Sequence, residues 1–311
     1  MIKIENLTKN YGDVKAVQSI NFEISDGQIV GFLGANGAGK STTLKMLTGF
    51  LTPTSGKIFI NGLNIKNHEL EIQKQIGYLP ELNPLYPEMN VYDLLNFTAK
   101  IRGIEGKKFK KALQRVAEQC GLKGVIHKNI NSCSKGYKQR IGLACAMIHD
   151  PKILILDEPV TGLDPNQIVE IRELIKSLGK EKLVLMSSHI LQEIQATVDR
   201  IIIINNGKIV ADGTNDELKS SFMGNTNLSL EFKNLNKKDL DDMFLELKDI
   251  ALNNYEKNNE TSFINIEYSK NIDPREKIFK YAVKKDWIIT AMTPHTADLE
   301  SIFRTLTVEQ K

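Results

Sequence analysis

Cysteine is scarce in this chain. The three present, Cys120, Cys133 and Cys145, are odd in number and form no C-x-x-C pair or His–Cys cluster. A disulfide framework and a structural zinc site are both disfavoured by that count, which leaves reduced thiols partly buried in helices. A dominant charge is missing too: 41 basic residues face 38 acidic ones, a net of +3. That balance lacks the basic excess of a nucleic-acid protein. Long apolar runs are absent, since stretches such as Ile201 to Ile204 fall far short of the roughly 20 residues that span a bilayer. The opening MIKIENLTKNYG has no basic n-region, apolar h-region or cleavage site. The expectation is a cytosolic protein that, if it works at a membrane, works from outside the lipid.

What is present fits one large domain or two smaller ones in 311 residues, with an ordinary apolar fraction of 41%. Short β-like runs, Ile2 to Leu7 and Val17 to Ile24, flank a turn at Tyr11-Gly12-Asp13. Gln28 to Phe32 is an apolar strand that runs into a glycine-rich loop, and Ser41 to Thr48 reads as a helix ended near Gly49. Lys57 to Ile60 and Gly77 to Leu79 read as strands, and Val91 to about Ile148 carries apolar residues at helical spacing. Ile153 to Leu156 and Leu183 to Met186 are continuous apolar runs, suited to a parallel sheet covered on both faces. Ile201 to Asn205 and Lys208 to Ala211 form a hairpin across Asn206-Gly207.

The composition shifts at Ser220 to Asn227, which is rich in Ser, Gly and Asn. Beyond it the order is strand, helix, strand, strand, helix, strand, which resembles a ferredoxin-like unit. The domains expected are therefore residues 1–220 and 225–311. A terminal helix, Leu299 to Leu306, offers an apolar face that serves equally for docking a partner or for packing back onto the first domain.

Chemistry enters at Gly34, Ala35, Asn36, Gly37, Ala38, Gly39, Lys40 and Ser41, which satisfy G-x-x-x-x-G-K-S between a strand and a helix. The glycines let backbone N–H groups turn inward around phosphate oxygens, and the helix N-terminus adds its positive dipole end. Lys40 supplies a charge for the β- and γ-phosphates, Ser41 a hydroxyl for Mg²⁺, and Thr42 continues the binding loop. Later, Ile153-Leu-Ile-Leu156 delivers Asp157 and Glu158 at its C-terminal end, where nucleotides bind in open α/β sheets. Asp157 is the candidate for holding Mg²⁺ through water, and Glu158 the candidate general base. Ahead of that strand, Ser134 in Cys133-Ser134-Lys135-Gly136-Tyr137 is a good helix cap, a role compatible with facing an anion.

Taken in order, Tyr11, the loop through Ser41, Ser134-Lys135-Gly136, Asp157-Glu158, Gly162-Leu163-Asp164 and Ser187-Ser188-His189 resemble the ATP-binding subunits of ABC transporters over about residues 1–215. The resemblance implies an α/β fold: a P-loop NTPase cassette with a RecA-like core, an antiparallel β subdomain and a helical subdomain. It implies Tyr11 stacking on adenine, and Ser134 and Gly136 reading the γ-phosphate of ATP bound to an opposite subunit. It places Asp164 at the dimer contact and His189 at the γ-phosphate. It further implies ATP and Mg²⁺ as cofactors, a homodimer or paired cassette, an integral membrane permease as partner, and a station on the cytoplasmic face of the plasma membrane.

Two positions depart from the family pattern. The signature LSGGQ reads Cys133-Ser134-Lys135-Gly136-Tyr137, keeping Ser134 and Gly136. Glu81 stands where the family has a glutamine; its carboxylate is a candidate Mg²⁺ ligand that also adds negative charge near the γ-phosphate. The segments Gly77 to Tyr86, Lys135 to Arg140 and Leu299 to Leu306 are similar to ABC-2-type exporter ATPases, most of all the gliding-motility-associated subunits of Bacteroidetes. A soluble ABC ATPase of translation or DNA repair is the competing class, weakened by the single cassette and by the mere 90 or so residues between phosphate loop and signature. No N-K-x-D motif supports a GTPase.

Overall fold

A computed structural model describes residues 1–222, 226–247, 249–258, 260–269, 272–295 and 299–308. The chain divides into two compact units: Met1–Asn215 together with the segment from Leu306, and Asp216–Thr305. The stretch read as a boundary, Ser220 to Asn227, includes residues 223–225, which lie outside the described residues.

Two sheets build the first unit. One is antiparallel, in the order Val14–Ile24, Ile2–Tyr11, Ser55–Ile60, Leu63–Asn64. The other has six strands, in the order Lys208–Gly213, Arg200–Asn205, Ile29–Leu33, Leu183–Ser188, Ile153–Leu156, Ile76–Leu79. It is parallel except for the edge hairpin of Arg200–Asn205 and Lys208–Gly213. Every residue of Ile29–Leu33, Ile153–Leu156 and Leu183–Ser188 is buried, which is why these segments read as unbroken apolar runs rather than alternating ones. A core formed by Phe22, Phe32, Leu44, Ile58, Ile155 and Leu185, among others, joins the two sheets through the helix Lys40–Leu47.

The helical part holds Val91–Ile101, Gly106–Gln119 and Lys135–Met147. Asn90 caps the first of these by accepting from Asp93 N at 2.8 Å. Pro165–Gly179 follows the acidic strand, with Asp164 as its cap and Pro165 at its first position, where the absent N–H removes no intrahelical bond. Two five-residue helices, Glu69–Gln73 and Leu191–Gln195, are too short to leave a helical period in the sequence.

In the second unit, Thr226–Lys233, Ile250–Asn258, Thr261–Tyr268 and Ile288–His295 form an antiparallel sheet. Numbered by their own succession, the strands run 4-1-3-2, the split β-α-β order expected for a ferredoxin-like unit. Leu228, Leu230, Phe232, Ile264 and Ile266 face a core shared with Leu240 and Met243 of Lys237–Glu246 and Ile278 and Tyr281 of Arg275–Lys284. Trp287 stacks edge-on against Phe232 there, ring centroids 5.5 Å apart.

Candidate nucleotide site

Strand Ile29–Leu33 ends in the phosphate loop, and the loop's glycines are demanded by close packing. A Cβ on Gly34 would lie 2.4 Å from Ile204 O, and one on Gly39, at φ 108°, 2.5 Å from Ala16 O. The turn Asn205–Gly207 braces the loop from behind, with Gly207 N donating to Ala38 O at 2.9 Å. Helix Lys40–Leu47 starts at the loop, so its first amides, which have no intrahelical acceptor, are free for an anion.

A cavity of about 500 Å³ opens there. Its lining includes Asn36, Gly37, Gly39, Lys40, Ser41, Thr42, Glu81, Glu158, Thr161 and His189, together with Ala16 from the neighbouring sheet. Most of the residues singled out from the sequence for phosphate, metal and base roles thus meet in one place. Lys40 Nζ donates to Gly34 O at 2.9 Å and Ala35 O at 3.3 Å, and lies 3.4 Å from Glu158 Oε1. Ser41 Oγ donates to Asp157 Oδ1 at 3.1 Å. The second carboxylate oxygen of Glu158 accepts from Thr161 Oγ1 at 3.0 Å and lies 2.9 Å from His189 Nδ1.

Glu158 is nearly buried and adopts φ 50°, the left-handed region that side chains other than glycine rarely occupy. Ser187 secures it. Its hydroxyl accepts from Glu158 N at 2.9 Å and donates to Asp157 Oδ1 at 2.6 Å, so one side chain fixes both acids of the strand end. Thr161 and Ser187 were not identified as functional from the sequence. Ser187 lay inside the Ser187-Ser188-His189 motif, but nothing in the sequence pairs it with a residue 30 positions earlier.

Tyr11, Ser134, Gly136 and Asp164 stand outside this cavity. Tyr11 is half exposed at the end of its strand, with Lys9 Nζ 5.4 Å from its ring centre. Ser134 caps Lys135–Met147, accepting from Tyr137 N at 3.3 Å, and Asp164 caps Pro165–Gly179, accepting from Gln167 N at 3.0 Å. Both caps leave one side of the residue open.

Beside strand Ile76–Leu79, a second concavity of about 500 Å³ is lined in part by Phe50, Leu70, Tyr78, Ile101 and Arg102. Phe50, Leu70 and Ile101 are largely exposed around it, an apolar cluster that none of the described residues covers. Burial, then the charges of Asp157 and Glu81, push the pKa of the Tyr78 phenol up and keep it protonated, and its buried hydroxyl has no partner among the described residues.

A phosphate loop, a hydroxyl paired with an acid at the end of a buried parallel strand, and a second acid held by lysine and histidine define a P-loop nucleotide hydrolase. The family model described as ABC transporter matches residues 17–161. The bacitracin transport ATP-binding protein BcrA of Bacillus licheniformis is 44% identical over 221 residues, 70% of this chain and 71% of that protein. The linearmycin resistance ATP-binding protein LnrL of Bacillus subtilis is 35% identical over 237 residues, 76% of each chain. Among solved structures, cbiO1 of Clostridium perfringens, part of the ABC transporter complex cbiONQ, shares 28% identity with a TM-score of 0.65, covering 70% of this chain and 90% of that one. An ATP-binding cassette solved as a dimer with ADP and Pi has a TM-score of 0.63 at 24% identity, over 69% of this chain and 98% of that one, a likeness of fold. This chain belongs to the ATP-binding subunits of ABC transporters, and it is an ATPase. No helix among the described residues is long and apolar enough to cross a membrane.

Proposed function

We propose that two copies of this chain, or this chain and a paired cassette, close head to tail over two ATP molecules and drive a separate membrane permease of the ABC-2 export type. The observation that carries the reading is the division of the phosphate machinery. Lys40, Ser41, Glu158 and His189 converge within one chain, while Ser134, Gly136 and Asp164 lie outside their cavity. A two-fold pairing brings the missing groups to each site from the other copy.

Within each site, Ser41 and Asp157 would hold Mg²⁺, Asp157 through water, with Glu81 as a further carboxylate. The pairing of Ser41 Oγ with Asp157 Oδ1 at 3.1 Å supplies the oxygen donors that a hard cation requires. The ion, when bound, neutralises charge on the β- and γ-oxygens. Lys40 exchanges its contact with Glu158 for the phosphates, which frees that carboxylate to take a proton from the attacking water. His189 and Thr161 keep the other oxygen of Glu158 oriented. Tyr11 offers its exposed ring to the adenine.

The apolar groove at Phe50, Leu70 and Ile101 is where a permease segment docks, since uncovered apolar clusters rimmed by polar residues mark interaction sites. Docking there stations the cassette at the cytoplasmic face of the plasma membrane. The names of the relatives concerned with bacitracin transport and linearmycin resistance favour an exporter. The gliding-motility likeness rests on sequence segments alone, and the named relatives add nothing to it. The second unit, Asp216–Thr305 rather than the expected 225–311, is an accessory module without a part in nucleotide chemistry.

Light scattering on the Glu158→Gln chain tests the pairing: ATP should convert monomer to dimer, and a chain that stays monomeric with saturating ATP refutes it. Co-purification with an integral membrane protein separates the transporter from a soluble ABC ATPase.

A further inference from the structure

The chain's charge is nearly balanced as a whole, yet it is concentrated in one place. Residues 100–123 hold eight basic and two acidic residues, a net +6 in a chain whose total is +3, so the remainder is net acidic. At the centre of this segment is the helix Gly106–Gln119. It buries Phe109, Ala112, Val116 and Ala117 against the helical subdomain and exposes Lys107, Lys108, Lys110 and Lys111. At about 100° per residue these four lysines spread over an arc of about 160° opposite the buried stripe. Among the described residues none of the four has an ion-pair partner; the nearby pairs, Arg115–Asp150 and Lys123–Glu118, use other side chains.

Solubility alone does not call for four unpaired lysines in five residues, and like charges so placed repel one another. Apolar side chains are also exposed on the helix before it. Helix Val91–Ile101 ends just before the lysine helix and exposes Phe97 and Ile101. Ile101 and Arg102 also line the groove assigned to the permease. A lysine cluster beside exposed aromatic and aliphatic side chains is the combination that binds anionic membrane surfaces. A nucleic-acid duplex, bound through its phosphates, would use the lysines and leave Phe97 and Ile101 without a role; a single strand, which could stack on Phe97, is separated by the test below.

We propose that the exposed face of Gly106–Gln119, with Phe97 exposed on the preceding helix, contacts anionic lipid headgroups beside the permease. The placement at a membrane rests on the transporter reading; the lipid contact itself is a property of this chain alone. Its strength follows from the lysines. Each one near an anionic surface multiplies partitioning about fivefold, and four together multiply it roughly several hundred-fold, an effect that fades as salt shortens the Debye length.

The test is sedimentation of the full chain with vesicles of phosphatidylcholine alone and of phosphatidylcholine with about one third phosphatidylglycerol. The chain should bind the anionic vesicles, release them at high salt and ignore the neutral ones. Replacing Lys107, Lys108, Lys110 and Lys111 together with Gln should abolish binding at unchanged basal ATPase activity, and replacing all four with Arg should retain it. Failure to bind anionic vesicles, equal binding to neutral ones, undiminished binding by the Gln variant, or tighter binding to a single-stranded RNA at the same salt would each overturn the proposal. A chain that binds vesicles but never co-purifies with a permease would instead overturn the transporter reading and leave the lipid contact standing.

Discussion

Glu158 Oε1 and Lys40 Nζ lie 3.4 Å apart, and each side chain is only 6% exposed. The proposed general base and the proposed phosphate-binding cation therefore hold each other, and breaking the pair from either side has a different outcome. Glu158→Gln removes a carboxylate while keeping the shape, so ATP binding survives and turnover falls about 10²–10⁴-fold, the usual worth of a general base. Single-turnover hydrolysis measures this directly, and a native rate would refute the assignment.

Lys40→Ala acts earlier. It removes the principal side-chain charge for the β- and γ-phosphates and leaves Glu158 nearly buried without its cation. Equilibrium titration should show ATP affinity lost, and thermal unfolding should show a lower Tm without nucleotide. Unchanged ATP affinity would contradict the role given to Lys40.

Ser187→Ala should cost more than an ordinary serine substitution. It leaves Glu158 N and Asp157 Oδ1 without their shared partner in a buried setting, a loss of about 1–3 kcal/mol. Because Glu158 sits at φ 50°, loss of that hydrogen bond also loosens the base, so kcat should fall while ATP affinity stays close to native. Denaturant unfolding together with steady-state kinetics checks both parts, and a stable variant of native kcat would show that Ser187 is incidental.

Mixing tests whether Ser134 acts on the opposite subunit. In a mixed dimer of Ser134→Arg and Lys40→Ala chains, one composite site carries both lesions and the other carries neither. Activity should therefore reappear on mixing two chains that are each inactive alone. No recovery in a dimer shown to be mixed would rule out the shared site.

His149 makes stability depend on pH. Burial first, then the charge of Arg102, pulls its pKa down from 6.5 to about 4, while Nε2 stays 3.0 Å from Ile76 O. The unfolded chain takes up the proton first, so it binds more protons between these values, and stability falls as pH drops from about 6.5 to about 4. Arg115 and Asp150 also act on the ring, with opposite signs. His149→Gln keeps a side-chain amide near Ile76 O and cannot titrate, so its Tm should fall less than that of the native chain over this range. Parallel Tm curves would exclude His149 as the source.

Much of the site was legible because phosphate chemistry imposes residue types at fixed spacing along the chain. Gly34 to Ser41 and Asp157-Glu158 each occupy one strand end, and their order alone identifies them. Ser187 and Thr161 were not legible, because a hydroxyl's partner 30 residues away, or across a turn, is set by strand order. That order, with Leu183–Ser188 between Ile29–Leu33 and Ile153–Leu156, leaves no periodic trace. The β-α-β-β-α-β succession of the second unit was readable, whereas the extent of its second strand was not. In Ile250–Asn258 only Ile250 is buried, so no alternation marks the strand's far end.

The Asn205 side chain donates to Leu306 O at 2.8 Å, and Leu306 belongs to the first unit although 90 intervening residues, Asp216–Thr305, make up the second. The second unit is therefore an insertion rather than a tail, leaving the cassette and returning to it. Once it unfolds, that contact must close a loop of flexible chain, at an entropic cost that grows as (3/2)RT ln n. The contact at Asn205 thus ties the segment that follows the second unit to the turn whose Gly207 holds Ala38 of the phosphate loop.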